Sequence, residues 1–466
     1  MSDLPPTVFV LYGATGDLAR RMVLPAFFDL YARGLLPTRW KLVGNGRGDV
    51  AHEDFRGHVH EVLTEFGTEP TDQQWTDFSA NLLFAGGGFR AEDGGELPDL
   101  IEDTRDHLGD DAQLVHYLAI PPVAFAETTK ALKEHGLATG SKAVYEKPYG
   151  TSLDSFHELD DLVHSAFDED QIFRIDHFLG KEAAQNVHML RFANTMFGGL
   201  WHRDFIEEVQ IDVPEDLDIA DRAKFYDATG AALDMLVTHL FQVAAEVAME
   251  PPLTLAAEDL QTARESVIAA FRPLDPDEVV LGQFEGYTAT EGVADDSTTD
   301  TYVAARLWVD TDRWRDVPFV LRTGKRLAAG AQRLSLLFRA PEGPLHSAGK
   351  RPEILAFDLK GSGRIMMEVT VKEPGPGFEP NDIDHILSLD QVAEGSMAPY
   401  TSLIYDVLCG DRSLFTSSMG LEHAFTAFAS LLGPKRPAVV PYEPDSWGPA
   451  EADRLTGRFG WLLGRE

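Results

Sequence analysis

Residues 7–19 read TVFVLYGATGDLA, and their order sets the fold of the first third of the chain. Thr7–Tyr12 is an unbroken apolar run of the kind buried on both faces of a parallel sheet. Gly13-Ala14-Thr15-Gly16 follows at once, and an amphipathic helix is predicted over Leu18–Tyr31. Two glycines spaced by three let a backbone turn tightly and approach a pyrophosphate at a helix N-terminus. Leu11 stands where the dinucleotide fingerprint usually has its first glycine. Gly13, Thr15, Gly16, Asp17 and Leu18 are the expected cofactor contacts; a glycine-rich turn without a ligand is the alternative.

The same rhythm continues. Lys41–Asn45, Asn81–Ala85, Leu114–Ile120, Ala143–Glu146 and Ile172–Ile175 read as further strands separated by helical text. That alternation predicts an α/β, Rossmann-type doubly wound parallel sheet. At the end of the second strand Arg47 suits the 2′-phosphate of NADP, with a solvated loop arginine as the alternative. Asp49 lies two residues on and keeps NAD open. Lys147-Pro148 predicts a restricted peptide or a plain strand end.

Beyond residue 178 the pattern changes. Helical text at Glu182–Phe197 leads to a strand near Glu207–Val213 and a helix at Gly230–Ala248. Tyr302–Val309, Pro318–Arg322, Leu334–Arg339, Glu353–Leu359 and Ile365–Val371 then follow with turns between them, and helix returns from Pro399. Successive strands without intervening helices predict a mostly antiparallel sheet. The expected organisation is a dinucleotide-binding domain over residues 1–178 and a larger α+β domain over 179–466, with a ligand cleft at their junction.

Composition narrows the function. Of 466 residues, 40 are Lys or Arg and 76 Asp or Glu, a formal charge of −36. No basic face for nucleic acid is expected, nor attraction to an anionic membrane. Cys409 is the one cysteine, so an intrachain disulfide and a cysteine metal site are both excluded, and no metal is expected. No run of 18 uncharged apolar residues occurs. Met1–Pro6 lacks a basic-then-apolar leader, and a reducing cytoplasm is the expected location.

Three more segments carry a resemblance: EKPYG at 146–150, RIDHFLGKE at 174–182 and LRTGK at 321–325. With GATGDLA, and with the tail around Tyr405-Asp406-Val407-Leu408, Gly410-Asp411 and Ser446-Trp447-Gly448-Pro449, the chain resembles a glucose-6-phosphate dehydrogenase over nearly its whole length. The resemblance implies oxidation of C1 of glucose 6-phosphate to the 6-phosphogluconolactone, with reduction of NADP or NAD. It places the catalytic base at His239, in a helix after a glycine-rich turn, with Asp176 as its orienting partner. It gives His177 and Lys181 the sugar phosphate, Glu215 and Asp234 the sugar hydroxyls, Lys325 a substrate contact, and Lys147 a position between cofactor and sugar. A homodimer or homotetramer is implied as well. The chain departs from the family at Met22, where a lysine usually meets the cofactor phosphates, so Arg21 is the expected substitute. It departs again at Phe178, usually tyrosine, and at Val237-Thr238, usually Gln-Asn.

The residues themselves add two constraints. Oxidising a hemiacetal carbon requires a proton acceptor, and an imidazole steered by a carboxylate suits that task at neutral pH. A dianionic sugar phosphate approaching this acidic chain needs a local cationic pocket. His177 and Lys181 are four apart and would share one face of a helix starting near them. Asp234 and His239 are five apart, about 140° around an α-helix, and would not share a stripe. A diverged dehydrogenase of another sugar or aminosugar phosphate, and a non-catalytic NADP(H)-binding sensor, remain alternatives.

Overall fold

The computed structural model describes residues 4–46, 48, 51–109, 111–219, 222–343, 352–361, 363–388 and 395–464. Residues 1–180, 255–261 and 397–418 form one compact unit, and 181–254, 262–396 and 419–466 form another.

The first unit is built on β1 (Thr7–Tyr12), β2 (Trp40–Asn45), β3 (Leu82–Ala85), β4 (Gln113–Leu118), β5 (Lys142–Tyr145) and β6 (Ile172–Ile175). All pair in parallel, in the spatial order β6-β5-β4-β1-β2-β3. The order reverses at β1, which pairs β4 on one side and β2 on the other. Ligands bind open α/β sheets at that crevice, beyond the carboxyl ends of the strands. Each strand is almost entirely buried, which is why near-continuous apolar runs, not alternation, announce them.

The second unit contributes β7 (Ile206–Pro214), β8 (Val279–Phe284), β9 (Tyr302–Leu307), β10 (Phe319–Gly324), β11 (Arg333–Phe338), β12 (Ile354–Asp358), β13 (Arg364–Lys372) and β14 (Pro380–Ser388). The tail supplies β15 (Phe415–Thr416) and β16 (Val439–Tyr442). β16 completes a sheet in the order β14-β13-β12-β11-β7-β10-β9-β8-β16. Its pairings are antiparallel except β7 with β10 and β8 with β16. β8, β14 and β16 lie in text from which no strand is predicted; β14 mixes polar and apolar residues and is largely exposed.

The tail divides its allegiance. Helix Pro399–Cys409 turns Leu403, Ile404, Val407 and Leu408 into the core of the first unit, beside Phe9, Phe173 and Ile175. β15 then pairs antiparallel with β6, Phe415 opposite Ile175 and Thr416 opposite Arg174. A buried ionic web secures this edge. Arg174 donates to Asp160 (2.7 Å) and to both oxygens of Glu169 (2.9 and 3.0 Å), while Arg412 reaches Glu169 (2.8 Å). A division into the two continuous segments 1–178 and 179–466 therefore misses residues 255–261 and 397–418, whose anchorage is tertiary.

Among the described residues one helical stretch, Ala223–Ala248, is long and apolar enough to cross a membrane by length and composition. Its most apolar window is 94% buried within the fold, and the stretch carries Asp234 and Glu246. It is also interrupted: Gly230 has φ 73° and ψ 167°, so the helix bearing His239 begins only at Ala231.

In the second unit Arg322 of β10 and Asp212 of β7 form a buried ion pair, Nε to Oδ1 2.9 Å, with the guanidinium 4.2 Å from the Trp461 ring centre. Removing one partner of a buried pair leaves an uncompensated charge, a loss of about 3–5 kcal/mol. Arg322→Ala is expected to lower the unfolding free energy obtained from denaturant titration by that amount. A loss within about 1 kcal/mol, the range of an exposed pair, would contradict this.

Candidate active site

The glycine turn after β1 is held from two sides. Gly13 and Ala14 donate to the Asn45 carbonyl (2.9 and 3.1 Å), and Gly16 donates back to Gly13 (2.8 Å). Gly13 has φ 72°, and a Cβ there would lie 2.4 Å from the Ala119 carbonyl oxygen. Only glycine fits under that oxygen. Among the described residues the N–H groups of Thr15, Asp17 and Leu18 have no main-chain partner, as expected where a helix opens. These donors and the cradle fit a dinucleotide pyrophosphate. The segment Ala119-Ile120-Pro121 thus lies over the turn. Arg47 and Asp49 fall outside the described residues. Arg21, the proposed stand-in for the missing lysine at Met22, donates to Asp17 (2.6 Å) on the exposed side of the helix.

At the end of β5 the Lys147-Pro148 peptide is cis, and Lys147 is half-buried. Glu146, to which sequence reasoning gave no role, is 6% exposed. Tyr117 donates to its Oε1 (2.7 Å) and Tyr400 to its Oε2 (3.3 Å). Burial pushes the Glu146 carboxyl up to about 7, and the hydrogen bonds from Tyr117 and Tyr400 and the nearby Lys147 charge oppose that rise.

Asp176 and His177 follow β6. The Asp176 carboxylate accepts the Phe178 N–H (2.9 Å), and its carbonyl accepts the Leu179 N–H (3.1 Å). This tight turn overturns one expectation. His177 and Lys181 do not share a helix face, because His177 lies in the turn and Lys181, at φ −78° and ψ 123°, precedes the helix Glu182–Ala193. Lys181 donates instead to the Gln332 side chain.

In the second unit Asp300 caps the helix that begins after Gly230. Its carbonyl accepts the Ala231 N–H (2.8 Å), and its carboxylate accepts that of Ala232 (2.6 Å) and pairs with Arg436. A Cβ at Gly230 would stand 2.6 Å from Asp300 Oδ1. The next stretch, Ala232–Leu240, is wound with i→i+5 bonds, among them Phe241 N–H to the Leu236 carbonyl. Such π-type winding stacks residues five apart. Asp234 and His239 therefore share a face, contrary to the separation expected of α-helical winding. Both are buried.

Glu215 and Lys325 are brought together by register. Pro214 of β7 lies opposite Gly324 of β10, so the next residues stand side by side, Lys325 Nζ 2.5 Å from Glu215 Oε2. The same ammonium lies 5.6 Å from the Tyr226 ring centre. Burial raises the Tyr226 hydroxyl well above its ordinary value, reinforced by the charges of Asp234, Asp300 and Glu215. Tyr226, which sequence reasoning did not single out, thus lies beside the Lys325–Glu215 pair and feels the charge of Asp234.

The first unit therefore carries the nucleotide turn, Lys147, Asp176 and His177; the second carries Lys181, Glu215, Asp234, His239 and Lys325. Comparison with known proteins speaks to the whole chain. Residues 10–186 match the glucose-6-phosphate dehydrogenase NAD binding domain and residues 188–462 the C-terminal domain of the same enzyme. The chain belongs to the glucose-6-phosphate dehydrogenase family. Glucose-6-phosphate 1-dehydrogenase 2 of Mycobacterium tuberculosis is 36% identical over 98% of this chain and 94% of its own. The crystal structure of the Mycobacterium avium glucose-6-phosphate 1-dehydrogenase aligns with a TM-score of 0.87 at 33% identity, covering 98% of this chain and 99% of that one. A glucose-6-phosphate dehydrogenase solved in complex with its substrate aligns with a TM-score of 0.92 at 28% identity, over 100% of both chains. As in that family, the first unit is a nicotinamide dinucleotide-binding domain.

The Glu146 shift has a sign that can be tested. Its folded value, about 7, is above the ordinary 4.5, so the native state holds an extra proton between those values. The cost of burying the carboxylate is absent below pH 4.5, grows as pH rises, and is complete above 7, at about 3–4 kcal/mol. Thermal denaturation of Glu146→Gln and wild type at pH 5 and pH 8 is expected to show the variant gaining on wild type at the higher pH. A difference independent of pH would contradict the shift.

Proposed function

We propose that this protein oxidises D-glucose 6-phosphate at C1 to 6-phospho-D-glucono-1,5-lactone with NADP as oxidant, the first step of the oxidative pentose phosphate pathway. The observation that carries the proposal is the unbroken similarity to glucose-6-phosphate dehydrogenases along both units, including one solved with this substrate. The departures at Met22 and Phe178 leave the proton-handling residues in place.

The residue roles follow from chemistry. The His239 imidazole accepts the proton of the C1 hydroxyl, and Asp176 orients it and stabilises the imidazolium. The nicotinamide ring, when bound, accepts the hydride from C1. The glycine turn at Gly13 and Gly16, with the N–H groups of Thr15, Asp17 and Leu18, holds the dinucleotide pyrophosphate. Arg47 receives the 2′-phosphate of NADP, and this is the reason for preferring NADP over NAD. His177 and Lys181 bind the sugar phosphate; Lys147 and Lys325 add cationic reach. Glu215 and Asp234 accept hydrogen bonds from sugar hydroxyls. Support for this last assignment comes from the Lys325–Glu215 pair beside Tyr226, whose hydroxyl also feels the charge of Asp234. Assembly as a homodimer or homotetramer in the cytoplasm belongs to the same reading.

Steady-state assays with glucose 6-phosphate and other phosphorylated and free sugars test the substrate; absence of NADPH or NADH formation with glucose 6-phosphate would overturn it. His239→Asn is expected to lower kcat by about 10²-fold or more with the sugar phosphate KM held within a few-fold. A near-normal kcat would remove His239 as the base. Arg47→Ala is expected to raise the KM for NADP about tenfold or more while that for NAD stays level. Equal losses would remove the preference for NADP.

A further inference from the structure

The tail of the chain brings a tyrosine to the motifs that the proposed mechanism uses. Tyr400 stands in the first turn of helix Pro399–Cys409, whose apolar face is locked into the first unit by Leu403, Ile404, Val407 and Leu408. Its ring lies nearly parallel to the His177 imidazole, with 17° between planes and 6.5 Å between centres, at the outer range of aromatic pairing. Its hydroxyl donates to Glu146 Oε2 at 3.3 Å. Burial raises that hydroxyl, as do the charge and hydrogen bond of Glu146 and, more weakly, the charge of Asp176. One side chain therefore touches the Glu146-Lys147-Pro148 segment with its oxygen and faces Asp176-His177 with its ring.

The other oxygen of Glu146 is fixed by Tyr117 of β4 at 2.7 Å. The carboxyl is thus an anchor built into the sheet, and Tyr400 is the part of the assembly that reaches His177. A tyrosine needed only for packing would not require its hydroxyl on a buried carboxyl.

We propose that Tyr400, tethered by Glu146, is a positioning residue that sets the orientation of His177 for the sugar phosphate. This rests on the reading of His177 as a phosphate ligand. The ring supplies the wall against which the imidazole is aligned, and the hydroxyl–carboxyl bond fixes the ring. The pair acts on substrate binding and leaves the nucleotide turn untouched.

The test is a double-mutant cycle on the full-length protein. Tyr400→Phe keeps the ring and loses the tether; Glu146→Gln weakens the tether from the other side; Tyr400→Leu removes ring and tether. Tyr400→Phe and Glu146→Gln are each expected to raise the KM for glucose 6-phosphate about three- to tenfold, the scale of one ordinary hydrogen bond. The double variant is expected to be no worse than either single one. Tyr400→Leu is expected to raise that KM further, and the KM for the dinucleotide is to stay level throughout. Additive losses, an unchanged sugar phosphate KM, or an equal rise for the dinucleotide would overturn the proposal. A second readout needs no turnover: the imidazole C2–H resonance of His177, assigned with His177→Asn, is expected to shift in Tyr400→Leu. A resonance that stays in place would overturn the alignment. If wild type does not turn over glucose 6-phosphate, the substrate reading falls and the resonance decides the pairing on its own. Should Glu146→Gln fail to fold, Tyr400→Phe, which preserves the packing ring, gives the same measurement.

Discussion

The burial of four aliphatic side chains at Leu403, Ile404, Val407 and Leu408 is the interaction on which the first unit depends. These residues lie more than 200 positions beyond β6, yet they enter the same core as Phe9, Phe173 and Ile175. Burying a leucine, isoleucine or valine is worth about 1.5–3 kcal/mol each. That gain repays closing a long loop, whose entropy grows only logarithmically with length. Once the helix is seated, β15 falls against β6, Arg412 reaches Glu169, and Tyr400 meets Glu146. The edge of the sheet from which Asp176 and His177 emerge is thus finished by a segment more than 200 residues further along the chain.

The parallel sheet was legible because buried strands leave apolar runs and glycine turns leave a spacing. Thr7–Tyr12 and Ile172–Ile175 are found where their text places them. The mostly antiparallel character of the second sheet was legible from strands that follow one another without helices. β14 was not, because its mixed polar and apolar text carries no long apolar run, and β15, two residues long, exists only through its partner. The winding of Ala232–Leu240 was equally hidden. Helical periodicity presumes 3.6 residues per turn, and nothing local in ALDMLVTHL marks the change to i→i+5 bonds. The pairing of Glu215 with Lys325 was invisible for a different reason: it is set by strand register between segments 110 residues apart. Glu146 and Tyr400 escaped notice because neither residue type, standing alone, announces a site.

Charge is distributed with the same economy. The chain carries 76 acidic and 40 basic residues, yet among the described residues three buried arginines are committed to particular carboxylates. Arg174 holds Asp160 and Glu169, Arg264 holds Glu246, and Arg322 holds Asp212. Glu246, beside Arg264 and His188, is drawn down to about 2 despite its burial. Such pairs contribute less to net stability than to fixing one arrangement of the elements that carry them. Glu146 is the contrast. It has tyrosine hydroxyls in place of a guanidinium, and its carboxyl rises instead of falling.

The division of the tail between two units also constrains how this gene can be rearranged. A fragment ending near residue 180 would contain every strand of the nucleotide sheet except β15, and would leave Ile175 and Phe173 facing water where Phe415 and the tail helix belong. Exchange of an N-terminal module with another oxidoreductase would have to carry its distant closing segment along, or supply a substitute. The two halves are therefore bound to a common inheritance by a stretch of about twenty residues, 397–418.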